Sequence, residues 1–140
     1  MKLPSMTDAE YKKQRRRVRR LSKKWVAALG MDRSWKIDLR YHRAGLKATS
    51  EDEAENFELV MTCNVRWQYL TATINVNMLA IVDQSDAALE DAFVHELCHV
   101  FVNEMRDEWT IEHEERVTTQ LCNAFIWLRD DLKKRKKKRG

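Results

Sequence analysis

His95, Glu96 and His99 stand in the run His-Glu-Leu-Cys-His, two imidazoles four positions apart with a carboxylate directly after the first. Four residues are slightly more than one helical turn, so both imidazoles point the same way within about 40°. Each can then reach one ion at the Zn–N distance of about 2.0 Å. Glu96 is turned about 100° from His95, too far round to share that ion but placed to meet a water beside it. The chemistry on offer is hydrolysis of a peptide or protein substrate, with Zn2+ as cofactor and Glu96 as general base. With four histidines and twelve glutamates in the chain, a chance HExxH arises with odds of roughly one in a hundred. Coincidence is therefore the weaker account. Phe93, Val94, Leu97, Val100 and Phe101 make the surrounding segment apolar nearly all round. A helix of that kind is buried, and His, Glu and His inside it need partners that a metal supplies.

A catalytic zinc takes three protein ligands and keeps one position open. The next candidates are Glu112-His113-Glu114-Glu115. Taking Val117, Leu121, Phe125 and Leu128 as the apolar face of that helix, Glu114 falls within their arc, and Glu115 and His113 lie to either side. Glu114 is the expected third ligand, with Glu115 and His113 as the alternatives. Cys98 points away from the histidine pair and is expected to pack. His42, Tyr41 and Tyr69 could assist an oxyanion, but a structural role is expected for each. Thr118 is a candidate hydrogen-bond partner for a ligating histidine.

The elements that must hold these groups are legible in the periodicity. Val18, Leu21, Trp25 and Leu29 recur at helical spacing and Gly30 follows as a cap, which predicts a helix from about Thr7 to Leu29. Trp35, Ile37, Leu39 and Tyr41 alternate with polar residues as in a half-buried strand, and the stretch from Ala44 to Asn56 is expected to be a connection. A second strand is expected over Phe57 to Trp67 and a third over Tyr69 to Asn77, with Leu70, Ala72, Ile74 and Val76 on one face. The wet face of the third strand, at an edge beside the cleft, is expected to pair with an extended peptide. Ser85 opens the motif helix, which runs to about Met105, and Thr110 opens a last helix to about Leu132. The fold class expected is α+β with a small antiparallel sheet of about three strands.

Charge is unevenly spread. The net charge is +4, yet nine basic and no acidic residues lie between Lys12 and Lys24, and seven more basic residues lie between Lys133 and Arg139. Outside those runs ten basic residues face 22 acidic ones, leaving a body of about −12. The basic ends either fold back on the acidic body or contact nucleic acid, a possible partner through the N-terminal helix and C-terminal tail. One domain is expected over residues 1–132, with 133–140 as a basic tail. Three widely spaced cysteines without CxxC argue against a disulfide framework and read as small buried hydrophobes. MKLPSMTD lacks a signal-peptide core and no apolar run can span a bilayer, so a cytoplasmic protein without a membrane partner is expected.

His95-Glu96-Leu97-Cys98-His99, together with Glu114-Glu115-Arg116-Val117 and Ala72-Thr73-Ile74-Asn75-Val76-Asn77, resembles the zincins, in particular minimal gluzincin-like metallopeptidases of phage and prokaryotic genomes. The segment from Leu29-Gly30 to Trp35-Lys36-Ile37 is similar to the entry of such a domain. The resemblance covers roughly Trp25 to Leu132, and HExxH is its one sharply specific motif. It implies an N-terminal helix, a small sheet, an active-site helix and a glutamate-bearing helix. The SprT-like proteases, which cleave DNA-bound proteins, are a neighbouring resemblance through HELCH, His113 and the basic ends. Their His-Gly pair, downstream tryptophan and zinc-ribbon cysteines are missing here, as is the cysteine-bearing ligand motif of peptide deformylase.

Overall fold

The computed structural model describes residues 6–46, 59–104 and 113–140. Within them the order is α1 (Asp8–Ala28), β1 (Lys36–His42), β2 (Met61–Arg66), β3 (Thr71–Asn77), α2 (Met78–Ile81), α3 (Asp86–Asn103) and α4 (Glu114–Arg139). The class is α+β, with four helices and three strands among the described residues.

Local signals set the starts of α1 and α3 as the sequence predicts. The Thr7 hydroxyl accepts the Glu10 amide at 3.2 Å, and the Ser85 hydroxyl accepts the Ala88 amide at 3.1 Å. Each satisfies a donor that the first turn would leave unpaired. Gly30 closes α1 in the left-handed region at φ 70, a conformation that costs other residues. Val18 and Trp25 of α1, Ile74 and Val76 of β3, and Phe93, Val94, Leu97 and Val100 of α3 are buried together. Each large side chain removed from water contributes about 1.5–3 kcal/mol. This core clamps α3, the motif helix, between α1 and the sheet.

The sheet is mixed, not wholly antiparallel as expected. β3 lies in the middle, antiparallel to β2 and parallel to β1, with Ile74 opposite both Cys63 and Leu39. A 3-10 turn at Trp67–Tyr69 and left-handed Leu70, φ 52, return the chain from β2 directly onto β3. That tight link forces an antiparallel pair, and β1 takes the remaining edge of β3. Alternation in a sequence assigns faces, but it carries no information on neighbour or direction. β3 is therefore central, and the strand beside α3 whose outer edge is unpaired among the described residues is β2. The expected wet face of β3 is also partly covered. Asn75 and Asn77 are buried with their amides engaged: Asn75 Oδ1 meets His42 Nε2 at 2.9 Å, and Asn77 Nδ2 donates to the Leu59 carbonyl at 2.8 Å.

The last helix differs at both ends from expectation. Its first helical residue is Glu114, and Thr110 lies outside the described residues. It does not stop at Leu132 but continues through the basic run to Arg139. Lys and Arg are good helix formers, and cations at a helix C-terminus complement its dipole.

Candidate metal centre

The site forms where α3 meets the first turn of α4. His95, His99 and Asn103 recur every fourth residue and share one face of α3. The side-chain ligand atoms of His95, His99 and Glu115 lie within 4.8 Å of one another. Glu115 Oε2 is 3.3 Å from His95 Nε2, and Glu115 Oε1 is 3.0 Å from His99 Nε2. A tetrahedral ion with bonds of about 2.0–2.2 Å holds its ligands roughly 3.3–3.5 Å apart. Two imidazole nitrogens and a carboxylate suit zinc by donor type, and each histidine lies near that spacing from one of the two Glu115 oxygens.

Glu114, the expected third ligand, points elsewhere. Its Oε1 accepts from Asn103 Nδ2 at 2.7 Å and lies 3.5 Å from His99 Nδ1. Asn103 Nδ2 also donates to the His99 carbonyl at 2.7 Å. Glu114 thus sits behind His99, on the ring nitrogen opposite the one facing Glu115. A carboxylate in that place fixes the tautomer and orientation of a ligating histidine. The phase of α4 explains the difference. The fully buried positions of the helix are Thr118 and Cys122, while Leu128 is exposed. Glu115, three residues before Thr118 and seven before Cys122, falls on that stripe. The longer apolar side chains suggested an axis rotated one residue away. His113, the other alternative, is a left-handed residue, φ 59, ahead of the helix.

Glu96 is partly buried beside the cluster. Burial, and then the negative charge of Glu115, push its carboxyl up to about 8. Two carboxylates, Glu114 and Glu115, face the two imidazoles, with the Glu96 carboxyl beside them, negative charge that a divalent cation would relieve. A cleft of about 1030 Å³ opens over them, walled on one side by the whole of β2 and on the other by His95, Glu96, His99, Asn103, Glu114 and Glu115. His42, Tyr41 and Tyr69 are not among the described residues lining it. His42 is instead held by Asn75, and Tyr69 is exposed. Thr118 is buried without a hydrogen-bond partner, so it makes no bond to a histidine among the described residues.

Two features of the site escaped the sequence reading. Asn103 continues the His95–His99 register by one more turn, a periodicity that could have singled it out. Cys63 was grouped with the buried thiols, and Cys98 and Cys122 are indeed buried. Cys63 is half-buried in the cleft wall, where burial and the charges of Glu96 and Glu114 push its thiol well up. No local signal in the sequence puts β2 next to α3.

At the other end of α3, Glu90 ties three elements together. It accepts from Lys24 Nζ at 2.8 Å and Trp25 Nε1 at 2.8 Å, and it pairs with Arg129 of α4. Burial opposes its ionisation, but these donors outweigh burial and hold its carboxyl down to about 2. No helix among the described residues is long and apolar enough to cross a membrane. Comparison with protein-family models, curated proteins and solved structures returns no match.

Proposed function

We propose that this chain is a zinc-dependent metallopeptidase, with His95, His99 and Glu115 as the ligands and Glu96 as the general base. The convergence of those three ligand atoms within 4.8 Å, at the floor of an open cleft, is the observation that carries this reading. His95, His99 and Glu115 would hold the zinc, which when bound would supply Lewis-acid activation of a water and of a substrate carbonyl. Glu96 takes the proton of the attacking water and delivers it to the leaving amine. Glu114, braced by Asn103, holds the His99 ring in place. The outer edge of β2, unpaired among the described residues, offers main-chain donors and acceptors to an extended peptide lying in the cleft. Three unpaired cysteines suit a reducing compartment such as the cytoplasm.

The competing assignment is a structural zinc in a nucleic-acid-associated accessory protein. Structural sites close around the ion with four protein ligands. Three donors converge among the described residues, which favours a catalytic site. The test is Glu96→Gln assayed for zinc by mass spectrometry and for cleavage of an unfolded protein. Zinc content should stay near one per chain while hydrolysis falls about 10²–10⁴-fold. Undiminished cleavage by this variant would remove Glu96 from the mechanism.

A further inference from the structure

We propose that the exposed basic face of α1 docks on the phosphate backbone of a nucleic-acid duplex, through charge and not through base sequence, with the basic end of α4 as a second, separate contact. The proposal does not rest on the metallopeptidase reading. On α1, Lys12, Arg16, Arg19 and Lys23 fall within about 60° of one another and span roughly 16 Å along the axis. They are exposed and stand opposite the buried Gln14, Val18 and Trp25. None of the four has an ion-pair partner among the described residues. Several carboxylates of the described helices are engaged elsewhere: Asp8 with Arg43, Asp86 with Arg17, Glu90 with Lys24 and Arg129, and Asp131 with Arg135.

The second basic run begins beside the other flank of α1, next to Trp25, Ala28 and Leu29 and away from Lys12, Arg16, Arg19 and Lys23. A groove between the helices is bordered by Lys24 of α1 and by Lys133 and Lys136 of α4. From Lys133 to Arg139 the run is helical and exposed. Seven consecutive basic positions, each turned by about 100°, surround the helix with charge. A field facing all directions suits an extended polyanion better than a single complementary patch on an acidic protein. The run carries no apolar residue to insert into a bilayer. Lys133 is eighteen residues from Glu115, about 27 Å along α4, so a duplex held here leaves the cleft open.

Phosphate neutralisation releases counterions, with about 0.9 lost from the slope of log affinity against log salt per contact. The experiment is fluorescence anisotropy of the full chain with a labelled DNA duplex from 50 to 200 mM salt. About five contacts would give a slope near −4.5 and weaken binding roughly 500-fold across that range. Replacing Lys12, Arg16, Arg19 and Lys23 with Gln should flatten the slope by two or more, and so should replacing Lys133, Lys134, Lys136 and Lys137. Circular dichroism monitors the fold of each variant, and these exposed positions should leave it unchanged. The proposal is overturned if a folded variant of either set binds with unaltered affinity and slope. It is equally overturned if phosphatidylserine vesicles or polyglutamate bind where the duplex does not.

Discussion

The two ends of α3 both face α4 across carboxylates, and they treat them in opposite ways. At the N-terminal end Glu90 meets Lys24, Arg129 and the Trp25 indole, and its carboxyl is held down to about 2. Three residues of the chain thus settle one partly buried charge. At the C-terminal end Glu96, Glu114 and Glu115 face two imidazoles and one amide, and Glu96 is driven up to about 8. The first end supplies its own cations; the second brings negative charge together without one. Of the three, Glu115 is exposed, Glu114 is held by Asn103 and Glu96 is partly buried, so the proposed ion would find one solvent-facing carboxylate beside two imidazoles.

The sharpest way to break this contrast is thermal unfolding with and without zinc. Zinc at a thousandfold excess over its Kd should stabilise the protein by about 4 kcal/mol, and His99→Ala should lose that gain. Equal melting temperatures with and without zinc would place the two ends of α3 on the same footing. At the Glu90 end the lever is pH. Its folded pKa lies below the ordinary value of 4.5, so its contribution is complete above pH 4.5 and lost as pH falls towards 2. The shift corresponds to roughly 3 kcal/mol. Glu90→Gln should lose about that much stability at pH 7 and show a flatter profile between pH 4.5 and 2, measured by denaturant unfolding. A profile as steep as that of the parent protein would assign the acid sensitivity to other groups. The smallest effect is expected for Asn103→Ala, which frees Glu114 and should weaken zinc about tenfold by chelator competition. An unchanged affinity would show that the Asn103–Glu114 contact does not orient His99.

Much of this contrast was written in the sequence. HExxH on an apolar helix located the histidine pair and Glu96, and the structure brings His95 and His99 together with a carboxylate from the following helix. Thr7, Ser85 and Gly30 marked helix boundaries because capping is chemistry between near neighbours. Strand direction was not legible, since alternation along β1 and β3 fixes a face and nothing more. The choice between Glu114 and Glu115 turned on a 100° rotation of α4. Val117, Leu121, Phe125 and Leu128 pointed to one phase, and the small side chains Thr118 and Cys122, packed against α3, set another. Size misled because close helix contact selects small residues as readily as large ones. Glu90 gave no signal of its own, because its partners lie 66 residues before it and 39 after it.

The central claim is that Glu115, not Glu114, completes a three-ligand zinc site with His95 and His99. Zinc affinity of the parent chain, Glu115→Ala and Glu114→Ala, measured by competition with a chromophoric chelator, tests it most directly. The account predicts one zinc per parent chain, a loss of about 10–100-fold for Glu114→Ala, and a clearly larger loss for Glu115→Ala. A parent chain that binds no zinc, or a Glu115→Ala variant that binds it as tightly as the parent, would contradict the account.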